Sequence, residues 1–396
     1  MIFRPIKLLL VSLFLLFTTL NSAAATENKH SESSLDNSKE KKESINTGKV
    51  IMEHLVDAYE WHILSLGETH LSIPLPVIIY RDGKLITFMS SVFHHGHSPA
   101  FFDENHHLMH AEDPQSAQVK FALAVMSEGS HKGKIAYIKP DEYIQNHQII
   151  EDTEAGMPLD FSITKNVVAL WFSLILILII FFGIAKSYKT RRGMAPKGLQ
   201  SALEPFIVFI RDDIAKPSIG EKKHAKFLPF LLTVFFFIFL NNLLGLVPFF
   251  PGGANLTGNI AITLVLALFT FVITTFSGNK NYWSHIFNTP GVPWWLKFPL
   301  PLMPVVEIMG VFTKPFVLMV RLFANITAGH IIVLGFISLI FIFGNINTGL
   351  GYGVSIVSVA FTVFLTFLEF LVALIQAYVF TLLSALYFGA ATEEHH

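Results

Sequence analysis

Seven charged, imidazole or amide side chains interrupt two long apolar stretches of this 396-residue chain. Glu307, Lys314, Arg321, Asn325 and His330 fall in the stretch 298–343, and Glu369 and Gln376 in the stretch 351–390. Ionisable groups at membrane depth are costly and mark ion pathways. An arginine there cannot deprotonate, so it carries no proton; its fixed charge attracts a carboxylate and bars proton leakage. Histidine and glutamate titrate and organise water. Glu307, Lys314 and Arg321 are each seven residues apart. Two heptads drift only about 40° on an α-helix, so the three share a face. Asn325 lies near the same stripe, and His330 lies about 180° round from Arg321. Neighbouring antiparallel helices hold a nearly constant sum of residue numbers at equal depth. Arg321 with Gln376, and His330 with Glu369, satisfy that condition. The spacing predicts a polar cleft at the His330/Glu369 level and an arginine beyond it that faces something else.

A second concentration of chemistry lies far upstream. His94, His95, His97, His106, His107 and His110 fall within 17 residues, in a region 50–160 that holds eleven of the 17 histidines. Imidazoles so spaced are candidate zinc or copper ligands. No cysteine joins them and the spacing fits no closed-site pattern, so solvated loop histidines are the plainer reading and no metal is assigned. No cofactor is expected either.

These residues must be positioned by membrane helices. Hydrophobic residues make up 52% of the chain, charged residues 14%, and mean hydropathy is +0.53; an ordinary globular protein has about 25% charged residues. Residues 227–279 and 322–368 carry no Asp, Glu, Lys or Arg, runs of 53 and 47 residues, well beyond the roughly 20 that cross a bilayer. The expected fold is an all-α polytopic membrane protein. It has about five membrane helices, an interfacial amphipathic helix, and a small extramembrane N-terminal domain with some β structure. Spans are expected at 166–185, 227–247 and 260–276. Residues 279–297, with Trp283, Trp294 and Trp295, read as a loop in the interfacial aromatic belt. Residues 298–343 and 351–390 would be some 60–70 Å long as helices at about 1.5 Å per residue, against a hydrocarbon core of about 30 Å. They are expected to form a long tilted hairpin around a turn at 344–350.

The chain divides into four segments. Residues 1–25 read as a signal peptide: Arg4 and Lys7, an apolar run from Leu8 to Leu20, then Ala23-Ala24-Ala25. A retained anchor is the alternative, and either one exports the segment after it. Residues 26–49 form a polar linker. Residues 50–160 form the His-rich exported domain, in which Arg81-Asp82-Gly83-Lys84 between apolar runs is a hairpin signal. Residues 161–396 form the membrane domain. Ten Lys and Arg between 186 and 226 place that segment in the cytoplasm and the N-terminal domain outside. Within it Leu199, Leu203, Phe206, Ile207 and Ile210 recur at helical spacing and read as the amphipathic helix. Since every intramembrane ionisable group lies beyond residue 300, the exported domain is expected to stand apart from proton conduction.

Arg321-Leu322-Phe323-Ala324-Asn325-Ile326-Thr327-Ala328-Gly329-His330 resembles the signature of subunit a of the rotary F-type ATP synthase. Lys314-Pro315 upstream, Phe239-Leu240-Asn241-Asn242-Leu243 with Leu246-Val247-Pro248, Ile375-Gln376-Ala377-Tyr378-Val379-Phe380, and Glu393-Glu394-His395 extend the likeness over about residues 160–396. The exported domain resembles a lineage-specific extension of some bacterial members. The resemblance implies a proton-channel subunit beside a ring of c subunits, with the subunit b peripheral stalk and the rest of the complex as partners, in the bacterial inner membrane. It implies that Arg321 faces the ring carboxylates, that His330 and Glu369 line the outer of two offset aqueous half-channels, and that Asn325 and Gln376 neighbour the arginine. Asn241 and Asn242 match a further polar segment. Gly245 departs from the family, which often carries Asp there.

Other classes recede. A net charge of −1 excludes a nucleic-acid binder driven by bulk charge. Zero cysteine excludes a disulfide framework, a thiol nucleophile and Cys-ligated metals. No G-x-x-x-x-G-K-[ST] occurs, so the chain does not itself hydrolyse ATP. A secondary transporter with an intramembrane charge relay is the alternative, though no internal repeat supports it. A metal-sensing membrane protein built on the His-rich domain is another.

Overall fold

The computed structural model describes residues 57–66, 69–96, 98–109, 119–127, 131–247, 252–287 and 302–393. The segments read as signal peptide and linker, together with His97, His110, Trp294 and Trp295, lie outside them.

Among the described residues nine short strands come first: β1 (Glu60–Leu66), β2 (Thr69–Pro74), β3 (Pro76–Arg81), β4 (Lys84–Met89), β5 (Ala100–Phe102), β6 (Leu108–Met109), β7 (Phe121–Val125), β8 (Ile135–Ile138) and β9 (Leu159–Asp160). They pair antiparallel as β1-β2, β4-β3-β9 and β6-β5-β7-β8. The predicted hairpin is β3–β4, with Arg81 opposite Lys84. Its two turn residues, Asp82 (φ 49°) and Gly83 (φ 80°), are both left-handed, as a turn that matches strand twist requires. In β3, Val77 and Ile79 are fully buried while Tyr80 is exposed, the period-two pattern of a half-buried strand. β7 and β8 are buried on both faces. Phe121, Leu123, Ile135 and Tyr137 join one core. Ala122, Ala124, Ala136 and Ile138 join another with Tyr143 of helix α1 (Pro140–Asn146). The Arg81 guanidinium lies 4.2 Å from the Phe121 ring centre and 4.3 Å from that of Tyr137, a cation stacked on two aromatic faces. The Tyr59 hydroxyl donates to Asp160 at 2.5 Å and ties the two ends of this region together; burial, then the Asp160 carboxylate, push that phenol above its ordinary range.

Among the described residues, five helices are long and apolar enough to cross a membrane: α2 (Lys165–Thr190), α4 (His224–Leu246), α5 (Ile260–Ser277), α7 (Leu302–Ile346) and α8 (Thr348–Thr392). Between α2 and α4 lies α3 (Leu199–Phe209), which runs through a π segment, Ile210–Ala215, into a last turn, Lys216–Ile219. Four of the five expected stripe residues meet the bundle. Leu199 is exposed, whereas Leu203, Phe206, Ile207 and Ile210 pack on the bundle. Downstream, through the π segment, Ile214, Ala215 and Ile219 extend the stripe. On its polar side the Arg211 guanidinium, then the Lys216 ammonium, hold the Asp212 carboxyl well below the usual carboxylate range.

The expected loop at 279–297 also changes. Residues Lys280–Phe287 form a helix, α6. Its apolar residues Tyr282, Trp283, Ile286 and Phe287 recur at three- and four-residue spacing, and Ile286 is buried. Eight residues are too few for that period to declare itself in sequence.

Helices α7 and α8 are each 45 residues, or about 67 Å at 1.5 Å per residue, so neither stands upright in a core of about 30 Å. The predicted seven-residue turn contracts to one residue, Asn347, whose side chain accepts from the Gly349 backbone N–H at 2.8 Å and caps α8. The neighbouring glycines are helical. A Cβ built on Gly351 would lie 2.7 Å from the Gly344 Cα, whereas one built on Gly344 would meet nothing. The glycines that look like a loop in sequence therefore mark a close backbone crossing. The asymmetry yields a test: Gly351→Ala is expected to lower the thermal stability of the detergent-solubilised chain by overpacking, at about 1–3 kcal/mol, while Gly344→Ala leaves it unchanged. Equal effects would show that the crossing is not tight. At the far end of α8, Lys223 Nζ (2.7 Å) and Asn279 Nδ2 (2.9 Å) both donate to the Thr392 carbonyl. Helix C-termini leave such carbonyls unpaired and favour cations.

Candidate functional site

The site is built mainly by α4, α7 and α8. His330 Nδ1 stands 3.6 Å from Glu369 Oε1, and the two side chains are 18% and 15% exposed. That separation is too long for a direct hydrogen bond and close enough for an ion pair or a bridging water. The glycine that precedes His330 makes the fit possible. A Cβ on Gly329 would lie 2.5 Å from Glu369 Oε1, so any side chain there would displace the acid. A Cβ on Gly245 of α4 would lie 3.8 Å from His330 Nε2, leaving the other imidazole nitrogen facing backbone and space.

Around the pair lies a cavity of about 330 Å3. Its polar lining is Asn242, Asn325, His330, Glu369 and Gln376; Leu246, Ile326, Val333, Leu368 and Val372 supply apolar wall. A space of this size with several polar partners has room for water. Asn242 is fixed at both ends. Its Nδ2 donates to the Ala373 carbonyl at 3.4 Å, and its Oδ1 accepts from the Thr257 hydroxyl at 2.5 Å. Gln376 is 7% exposed.

Arg321 does not line the cavity. Leu318, Met319 and Leu322 turn the other side of α7 into the bundle. Arg321 stands with Phe316, Val317 and Val320 on the exposed side. Among the described residues it has no hydrogen bond or ion pair. The structure thus carries a permanent cation on an apolar surface, one helical turn from Asn325 at the cavity edge.

The other sequence candidates are dispersed. Asn241 is 1% exposed; its Nδ2 donates to the Phe237 carbonyl at 2.7 Å, and it is not among the cavity-lining residues. Lys314 places Nζ 5.6 Å from the Tyr387 ring and, with Pro315, lines a small crevice beside Thr270 and Thr274. Glu307 lies near Tyr282, whose phenol is pushed up by burial and then by the Glu307 charge. Neither Lys314 nor Glu307 reaches the cavity. Of the histidine cluster, His106 is packed on Phe121 with Nε2 3.6 Å from Asp82, whereas His107 is exposed beside Asp103. No group of three metal-ligating side chains occurs among the described residues. The side chains of His94 and His95, and all of His97 and His110, lie outside them.

Sequence reasoning missed Thr257 and Gly329. The polar run Asn255-Leu256-Thr257-Gly258-Asn259 reads only as a turn. Gly329 sits inside the quoted motif, where its small size was the available signal.

Residues 167–389 match the family described as ATP synthase A chain, and residues 50–161 match a domain of unknown function (DUF8433). ATP synthase subunit a 2 of Chlorobaculum tepidum is 45% identical over 273 residues, covering 64% of this chain and 74% of that one. ATP synthase subunit a of Chlorobium phaeobacteroides is 38% identical over 314 residues, covering 72% and 88%. That of Myxococcus xanthus is 43% identical over 246 residues, covering 60% and 76%.

Proposed function

The chain belongs to the ATP synthase A chain family, and from that premise we propose how it conducts protons within the membrane sector of an F-type ATP synthase. It is a multi-pass membrane subunit. Its water-holding cavity is the outer half-channel, with His330 and Glu369 relaying protons and Asn242, Asn325 and Gln376 holding the water file. Arg321 faces a rotating ring of c subunits and pairs with each ring carboxylate as it passes, so the carboxylate gives up its proton on one side and takes one from the cavity on the other. The subunit b stalk holds the chain against the ring. The N-terminal domain lies outside, and the basic segment 186–226 lies in the cytoplasm.

One observation carries this reading: Arg321, on the exposed apolar side of α7, has no hydrogen bond or ion pair among the described residues. A charge in hydrocarbon costs several kcal/mol or more, and Arg cannot escape by losing its proton. It therefore calls for an anionic partner from another chain, in the membrane plane. Polar relay groups lie on one side of it, in a cavity that an aqueous phase can fill. The arginine's fixed charge separates that water from the opposite side.

The direct test is purification. An affinity-tagged chain, solubilised in mild detergent, is expected to bring a c-ring with it. Recovery of the folded chain with no ring under conditions that preserve the rest of the complex would end the proposal.

A further inference from the structure

We propose that the strand-rich N-terminal domain holds the wall of the outer cavity, with Trp61 clamping the segment 252–259 so that Thr257 stays bonded to Asn242. The inference rests on the half-channel reading above. Its starting point is a contact that the sequence did not suggest. Trp61, in β1, is 3% exposed, and it forms one buried cluster with Ala169 of α2 and with Ala254 and Leu256 of the α4–α5 connection. Residues 57–58 are fixed beside it. Asp57 Oδ1 accepts from the Asn166 backbone N–H at 3.1 Å, and the Lys165 N–H donates to the Ala58 carbonyl at 2.8 Å. The domain is thus fastened to the start of a membrane helix and presses one indole onto the connecting segment.

That segment does not itself line the cavity, but it bonds to the lining residue Asn242 and comes near His330 beside Gly245. The Ala254 carbonyl lies 3.7 Å from where a Gly245 Cβ would sit, and the same point is 3.8 Å from His330 Nε2. Thr257, 1% exposed, donates to Asn242 Oδ1. Residues 252–259 form no helix or strand of their own, so their placement depends on what covers them. A buried Trp removes about 150–250 Å2 of surface from water, the largest apolar anchor available to so short a stretch. Trp61 is accordingly a positioning residue: it touches neither His330 nor Glu369 and acts through Thr257 and Asn242.

The test uses the complete complex in inverted membrane vesicles, reading ATP-driven proton pumping per copurified c-ring. Trp61→Ala is expected to lower pumping about five- to tenfold with ring content unchanged, and Trp61→Phe to keep more than about half, because a smaller ring still covers Leu256. Thr257→Val, which keeps shape and removes the hydroxyl, is expected to give a similar loss. The combined variant should pump no more slowly than the slower single one, since both changes release the same wall. If Trp61→Ala does not assemble, Leu256→Ala trims the same contact from the other side and is read by the same two outcomes. Wild-type pumping with the clamp trimmed, or losses that multiply in the combined variant, would overturn the inference. Arg321→Ala is run in parallel. If it is inactive while the trimmed clamp pumps normally, only the clamp fails; if it also pumps normally, the half-channel reading itself falls.

Discussion

Arg321→Ala is expected to abolish proton-coupled ATP synthesis, by at least about 100-fold, the scale seen when one charge-stabilising group is removed at a reacting centre. The side chain stands on the exposed side of α7, among Phe316, Val317 and Val320, with no counter-charge among the described residues of its own chain. In the mechanism proposed above, its charge pairs with a carboxylate that the ring brings to it. Lys at the same position is not expected to restore full function. An ammonium shifts its pKa readily in an apolar setting, whereas a guanidinium keeps its proton. The measurement is ATP synthesis in vesicles driven by an imposed proton gradient, with ring content checked. Synthesis near the wild-type rate with Arg321→Ala would remove the arginine from the mechanism.

The second large effect concerns His330 and Glu369. At 3.6 Å they are close enough to act as one relay. Each single alanine change is expected to slow pumping about tenfold, because it leaves the remaining group without its partner in a confined space. The swap, His330→Glu with Glu369→His, keeps one acid and one imidazole in the same cavity and should pump faster than either single variant. Contacts between neighbours typically show about 0.5–3 kcal/mol of coupling. Gly329 makes the swap demanding, since the imidazole placed at 369 must fit where the acid now lies against a bare hydrogen. Strictly multiplicative losses, with the swap no better than the singles, would show that the two groups work separately.

Much of this site can be read from residue numbers alone, because a long antiparallel hairpin converts sequence position into depth. The pairing of His330 with Glu369 is legible that way, and the stacking of Phe336 on Phe361 at 5.3 Å follows the same register. The spans are legible because hydrocarbon demands long uncharged runs. What escapes is set by other forces. The turn shrinks to Asn347 because two glycines pack backbone on backbone, and composition cannot distinguish that from a loop. Asn241 and Asn242 are adjacent and chemically identical, yet on a helix they point about 100° apart; only Asn242 meets the cavity. Trp61 reaches Leu256 through tertiary packing across nearly two hundred residues, which no local pattern encodes. Of the histidine cluster, the described side chains are those of His106 and His107, and a β turn sends the first inward to Phe121 and the second out to solvent, a divergence that closeness in sequence does not reveal.

The contact between Gly344 and Gly351 acts as a fulcrum. With no side chain between the backbones there, any swing of α7 against α8 turns about that point. Displacement then grows along the arm. Arg321 is 23 residues from Gly344, about 35 Å at 1.5 Å per residue, and His330 is about 21 Å away. One degree of rotation moves the arginine by about 0.6 Å and the histidine by about 0.4 Å, whereas working groups must be held within about 0.5 Å. The arm therefore has almost no angular play to spare. The Phe336–Phe361 stack, part way along, and the bonds from Lys223 and Asn279 to Thr392 at the opposite end of α8 act as its stays.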